Sequence, residues 1–118
     1  MKKILIFGSY GYLGNLLYDF LKTKSEIEIH RQGRNEGSMH KIDPTNLNEC
    51  DLLIKKIKPD TIINLIASTN VDECESNPKL AKIANTLIVE NIKNSISLNN
   101  QNIYLIHIST DQVYSGQG

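Results

Sequence analysis

An excess of charge of either sign is missing from this chain. Thirteen Lys+Arg balance 13 Asp+Glu over 118 residues, giving a formal net charge of zero and a pI near 6.8. Without a basic or acidic surplus there is no electrostatic footprint for nucleic acid or an anionic membrane, and neither is expected as a partner. Long apolar runs are missing too. The opening Met1-Lys2-Lys3-Ile4-Leu5-Ile6-Phe7 starts like a signal peptide, but it breaks at Gly8-Ser9-Tyr10-Gly11, too early for a secretory core. The other apolar run, Ile62 to Ala67, falls far below membrane-spanning length, so a soluble, cytoplasmic chain is expected. Cysteine is scarce: Cys50 and Cys74 show neither metal-ligand spacing nor a disulfide framework, and read as free, buried or half-buried thiols. His30, His40 and His107 stand at no ligand spacing from acids or cysteines, so no metal is expected. Low-complexity segments and internal repeats are also lacking.

What is present is ordinary globular composition, 40% hydrophobic and 22% charged, in a length that suits one domain spanning residues 1–118. Lys3 to Phe7 reads as a buried strand ended by glycine. Leu13, Leu16, Leu17, Phe20 and Leu21 then recur at helical spacing. Glu26 to His30 reads as a second strand, Gln32 to Met39 as a loop, and His40 to Ile42 as a very short third strand. Asn46 with Glu49 forms a capping-box pattern that opens a helix with Leu47, Cys50, Leu53, Ile54 and Ile57 on its apolar face, stopped by Pro59. Thr61 to Ala67 is a fourth strand. Pro78 precedes a long helix carrying Leu80, Ile83, Ala84, Leu87, Ile88 and Ile92, and Ile103 to Ile108 is a fifth strand. Strands alternating with helices predict an α/β fold: a doubly wound parallel sheet of Rossmann type, strand order 3-2-1-4-5, with helices on both faces.

Between the first strand and the first helix lies Gly8-Ser9-Tyr10-Gly11-Tyr12-Leu13-Gly14. Glycines here allow a tight turn, close approach of a pyrophosphate to backbone, and close helix–strand packing, while the helix N-terminus offers N–H groups and a positive dipole end. The spacing is G-x-x-G-x-x-G. Alone it also fits a plain structural turn; the strand–turn–helix context favours a dinucleotide. Such domains usually place an acid at the end of the second strand for the ribose hydroxyl. Here that place holds His30 and Arg31, with Arg34 close behind. Guanidinium groups suit a 2′-phosphate, so NADP(H) is favoured over NAD(H), the alternative being a solvated basic loop.

The glycine pattern resembles that of the extended short-chain dehydrogenase/reductases. Asn64-Leu65-Ile66-Ala67-Ser68-Thr69-Asn70-Val71-Asp72 and His107-Ile108-Ser109-Thr110-Asp111-Gln112-Val113-Tyr114 narrow the resemblance to the dTDP-4-dehydrorhamnose reductase family. These are enzymes of dTDP-rhamnose and polysaccharide biosynthesis that reduce a nucleotide-linked 4-keto sugar with a nicotinamide cofactor. The resemblance runs along the whole chain, and Ser-Thr-Asp-x-Val-Tyr is its most specific part. It implies that the backbone of Gly11, Tyr12 and Leu13 holds the pyrophosphate, with Gly8 and Gly14 in the same cofactor-binding turn, and that Asp43 and Pro44 lie beside the adenine. It also implies that Ala67, Ser68 and Thr69 line the nicotinamide ribose. Asn85 matches an asparagine on the long helix. Thr110 takes the catalytic Ser/Thr position, where its hydroxyl would bind the sugar carbonyl as charge develops on oxygen, and Asp111 matches a substrate contact. From the residues alone, Asp43-Pro44 also fits a polar turn before a helix, Asn85 a polar helix face, and Ser109-Thr110-Asp111 a polar strand end. His107, inside a strand pattern, reads as packed.

The family's proton donor, a Tyr-x-x-x-Lys pair, belongs on a helix after this point, where the lysine lowers the tyrosine pKa. Tyr18 and Lys22 have that spacing but lie on the first helix, away from the strand ends, and read as a chance surface or packing pair. The expectation is therefore the cofactor-binding half of a nucleotide-sugar reductase, truncated before the Tyr-x-x-x-Lys helix and inactive by itself. The alternative is a non-catalytic NADP-binding regulatory subunit, as in methionine adenosyltransferase β, or a remnant of a truncated gene. A fifth strand with an open edge, exposing Leu105 and Ile106, predicts a homo-oligomer through that edge.

Overall fold

A computed structural model describes residues 2–66, 78–99 and 102–108, with the backbone alone for 78–83. Its centre is β1 (Lys2–Phe7), whose Ile4, Leu5, Ile6 and Phe7 are all buried. Both faces of this strand are apolar because both are covered, as a central parallel strand requires. On one side β1 pairs with β2 (Ile27–Gly33), which pairs in turn with the two-residue β3 (His40–Lys41). On the other it pairs with β4 (Thr61–Asn64), which carries β5 (Tyr104–His107). All pairings are parallel and the order is 3-2-1-4-5, as the alternation of strand and helix patterns predicts. The register sets Ile6 against Arg31 and Ile63, and Asn64 against Phe7 and His107, so the strand ends share one carboxyl edge.

Among the described residues, α1 (Tyr12–Leu21), α2 (Leu47–Ile57) and α3 (Pro78–Leu98) cover the sheet. On α2, Cys50, Leu53, Ile54 and Ile57 are buried with Leu5, Phe7 and Ile62 of the sheet and Ile88 and Ile92 of α3. The Asn46 side chain caps α2 by accepting the Glu49 N–H (3.2 Å), while the Glu49 carboxylate reaches past it to the Asp43 N–H (2.9 Å). The other face buries Ile4, Ile6, Ile63 and Leu65, with Leu17 and Leu21 of α1 and Ile27 and Ile29 packed against them.

Several expectations need correcting. Gln32 and Gly33 belong to β2 and are buried, because the strand's last side chains turn inward to meet the glycine turn. The fourth strand ends at Asn64, whose side chain accepts the Ile66 N–H and closes the ladder there. On α1, Leu17 and Leu21 reach the core whereas Leu13, Leu16 and Phe20 are exposed; on α2 Leu47 is exposed, and on α3 Leu87 is. His107 is exposed rather than packed, since its ring turns to the edge and meets the Asn64 amide at 3.0 Å. Leu105 packs against the core, while Ile106 is exposed. Cys50 is a buried free thiol, and Cys74 lies outside the described residues.

Candidate functional site

At the carboxyl edge, where the sheet order reverses beside β1, a cleft of about 240 Å³ is lined by Gly8, Tyr10, Gly11, Gln32, Gly33, Arg34, Asn35 and Ile66. Open α/β sheets take ligands at this position because strands leaving in opposite directions part the connecting loops. The glycine turn shapes the cleft. Gly8 has φ +71°, and a Cβ there would stand 2.9 Å from Ile66 Cγ1 and 3.1 Å from the Ile66 backbone. Gly14 lets α1 rest on the turn: a Cβ would lie 2.3 Å from the Ser9 carbonyl oxygen. Gly11 is the N-cap of α1, extended and with no side-chain capping bond, and the first turn carries no acid. The orphan N–H groups and positive end of that helix are thus left to a ligand. Tyr12 (83% exposed) and Leu13 stand on this first turn.

The turn is held from β2 by two buried polar side chains. Gln32, 1% exposed, accepts the Gly8 N–H at 2.8 Å and donates to the Ile42 carbonyl at 3.0 Å, bridging the turn to the start of the next loop. Arg31, 8% exposed, donates Nε to Ser9 Oγ (2.8 Å) and Nη2 to both the Ser9 carbonyl (2.7 Å) and Asn15 Oδ1 (2.5 Å). Its guanidinium lies between the rings of Tyr10 (4.1 Å) and Tyr18 (4.0 Å). A charge so far from water persists because acceptors and π-faces surround it. Tyr18 is therefore a packing partner of Arg31, and Lys22 pairs with Asp19 on the surface.

Arg34 has a different setting. Its side chain is 52% exposed, lines the cleft and stands 3.9 Å from the Asp43 carboxylate. Asp43 accepts Thr45 Oγ1 (2.7 Å) and the Thr45 N–H (3.0 Å), and these bonds, with a smaller contribution from Arg34, hold its carboxyl below the ordinary aspartate value. Pro44 is buried, its carbonyl accepting the Asn91 amide at 3.0 Å. The structure thus brings Gly8, Gly11 and Arg34 into one cleft, with Asp43 reached through Arg34. Gly14 and Arg31 lie behind the turn, and Pro44 lies under α3. Asn85 is half-buried on α3. Ala67, Ser68, Thr69, Thr110 and Asp111 lie outside the described residues.

Ser9, Asn15, Gln32 and Gly33 are site residues that sequence reasoning passed over. The available signal was a strand whose Arg31-Gln32-Gly33 end sits beside a glycine turn, where polar side chains have backbone groups to satisfy. The histidines are also closer to an acid than their spacing suggests. Glu28 Oε2 meets His30 Nε2 at 2.6 Å, and His30 Nδ1 meets His40 Nε2 at 2.9 Å. The His30 bond draws Glu28 below its usual pKa, and burial, then the neighbouring His30, lowers that of His40. The contacts form a chain rather than converging on a point, and among the described residues no group of His, Cys, Asp and Glu could hold a metal ion. No helix among them is long and apolar enough to cross a membrane.

A five-stranded parallel sheet in this order, with a glycine turn opening α1 at its carboxyl edge, defines a Rossmann-type α/β protein. The match to known families is specific. The chain belongs to the family described as RmlD substrate binding domain, which it matches over residues 1–118. It is 40% identical over 115 residues to the dTDP-4-dehydrorhamnose reductase of Salmonella typhimurium strain LT2, covering 98% of this chain and 37% of that protein. The crystal structure of dTDP-4-dehydrorhamnose reductase from Bacillus anthracis in complex with NADP superposes with a TM-score of 0.69 at 25% identity, over 87% of this chain and 35% of that one. The crystal structure of a dTDP-4-dehydrorhamnose reductase from Clostridium acetobutylicum gives 0.67 at 30% identity, over 86% and 34% of the two chains. The chain therefore spans 34 to 37% of the length of these relatives.

Proposed function

We propose that this chain is the cofactor-binding part of an NADP(H)-dependent reductase acting on a nucleotide-linked 4-keto sugar. The observation that carries the reading is the glycine turn. Gly8 and Gly14 leave no room for a Cβ because the turn packs closely on Ile66 and on Ser9, which brings the uncapped N-terminus of α1 to the cleft. A pyrophosphate suits such a place on charge and hydrogen bonding alike. The residues at the end of β2 suit a phosphorylated ribose, because among the described residues no carboxylate lines the cleft and the exposed guanidinium of Arg34 does. When bound, the nicotinamide would supply the hydride. Gly8, Gly11, Tyr12 and Leu13 would hold the pyrophosphate, Arg34 the 2′-phosphate, Asp43 and Pro44 the adenine side, and Ala67, Ser68 and Thr69 the nicotinamide ribose. Thr110 would donate to the sugar carbonyl, with Asp111 contacting the sugar. Arg31, with Nε and Nη2 already donated within the protein, supports the turn in this reading. The Salmonella and Bacillus reductases supply the substrate class.

Calorimetric titration of the purified chain with NADPH and NADH tests the proposal. NADPH is expected to bind more tightly. Arg34→Ala should remove most of that preference, about tenfold for one charge-assisted contact at an exposed site, and leave NADH binding unchanged. NADH binding at least as tightly as NADPH would overturn the cofactor preference. Failure of both nucleotides to bind would overturn the reading as a whole.

A further inference from the structure

Tyr10 joins the two sides of the cleft. One face of its ring lies on the Arg31 guanidinium, 4.1 Å away. Its edge passes over Gly33, where a Cβ would meet Tyr10 Cδ2 at 2.7 Å and Ser38 Oγ at 2.3 Å. Its hydroxyl accepts the Met39 backbone N–H at 2.8 Å. The stretch from Arg34 to Met39 is closed on itself by the Ser38 N–H to the Asn35 carbonyl (3.2 Å), and at its base by the Ile42 N–H to the Gly33 carbonyl (3.3 Å). The Tyr10–Met39 bond ties the glycine turn to the far end of that loop, just before β3. Arg34 and Asn35, at the near end of the loop, line the cleft beside Tyr10.

We propose that Tyr10 is a positioning residue for cofactor choice: its hydroxyl latches the 34–39 loop to the glycine turn and so sets where Arg34 stands relative to the ribose of the dinucleotide. The inference rests on the dinucleotide reading above. It departs from the plain expectation that two arginines decide the preference by their charge. A guanidinium discriminates between a hydroxyl and a phosphate only when it is held at contact distance, and Arg34 is long and exposed, with Asp43 at 3.9 Å as its ion-pair partner among the described residues. The latch gives the loop a fixed distance from the turn that holds the pyrophosphate. The glycine at 33 is needed because the ring must cross it.

Tyr10→Phe tests the latch, since it keeps the ring on Arg31 and Gly33 and removes only the hydroxyl. Titration with NADPH and NADH should show the NADPH preference falling by about three- to tenfold, the worth of one hydrogen bond, with NADH affinity unchanged. Hydrogen exchange should show the Met39 amide losing protection in the variant. Loss of both affinities in equal proportion, or an unchanged ratio in a chain whose preference Arg34→Ala does abolish, would overturn the latch and leave the cofactor reading standing. A Met39 amide unprotected in the parent chain would overturn the latch whatever the nucleotides do. Parent binding of NADH as tight as NADPH would overturn the latch together with the NADPH preference.

Discussion

Gly14→Ala offers the sharpest test of the site's construction, because two opposing effects of known size meet at one atom. Alanine is the better helix former by roughly 1 kcal/mol in a helix interior, so on propensity alone the change should stabilise α1. Packing says the reverse. The new methyl would lie 2.3 Å from the Ser9 carbonyl oxygen and 2.5 Å from its carbon, against ordinary contact beginning at 3.4 Å. One side must move by about 1.1 Å. Ser9 is poorly placed to yield: its carbonyl and hydroxyl both accept from Arg31, and its N–H donates to the Gln32 carbonyl at 3.1 Å. The movement therefore falls on α1, which is held to the sheet by Leu17 and Leu21 and by Asn15 and Tyr18 on Arg31, with Leu16 and Phe20 in solvent. Overpacking of this kind costs about 1–3 kcal/mol, with more to come from weakened Arg31 bonds. Set against the helix gain, a net loss of about 2 kcal/mol is expected. Urea denaturation followed by circular dichroism should show a lower midpoint at unchanged slope. Nucleotide affinity should fall by at least tenfold, because α1 would carry away from the turn the N–H groups proposed to hold the pyrophosphate. A variant as stable as the parent would show that the turn yields easily, and would refute the argument that Arg31 and Gln32 hold it rigid.

Two further outcomes follow from the titrating groups. Burial, with a smaller effect of Asp51, pushes the Cys50 thiol up to about 12 from an ordinary 9.0. Its folded-state value is raised, so the stability carried by the neutral thiol is complete below pH 9 and is lost as pH climbs towards 12. In native buffer at mildly alkaline pH, iodoacetamide should leave the Cys50 peptide unmodified by mass spectrometry, and modify it in urea; native labelling at a free-thiol rate would contradict the packing of α2. Asp43 runs the other way. Held low chiefly by the Thr45 hydroxyl, it contributes stability that is present above its ordinary value of 3.8 and is lost as pH falls through the lower folded-state value. Thr45→Val removes the hydroxyl but keeps the backbone bond, so the Asp43 carboxyl should titrate closer to 3.8 by NMR; an unmoved titration would assign the shift to the Thr45 backbone N–H, with Arg34, instead.

The sheet order and the place of the cleft were legible in the sequence because both follow from periodicity and from glycines at a strand–helix junction. What holds the cleft open was not, and the reason is physical. Gln32 and Gly33 read as loop because a polar residue followed by glycine carries no strand pattern, yet Gln32 is buried through two hydrogen bonds to backbone groups of distant segments. Those partners exist only once β1 and β2 are in register. Arg31 and Arg34 read alike in sequence as a basic pair past the second strand, since charge is all that a one-dimensional pattern conveys. Folded, they separate: the alternation of β2 drives Arg31 inward between two tyrosine rings, while Arg34, one residue past the strand, stays in solvent at the cleft. The same alternation places Glu28 and His30 on one face of the strand and lets His40 of β3 join them. Side-chain direction at the end of β2 thus decides whether a basic residue supports the backbone of the turn or faces a ligand, and it depends on the residue at which the strand stops. Register fixes Arg31 opposite Ile6, and the bonds of Gln32 fix where the strand gives way to Arg34, so that anchoring matters to the site as much as the glycines it supports.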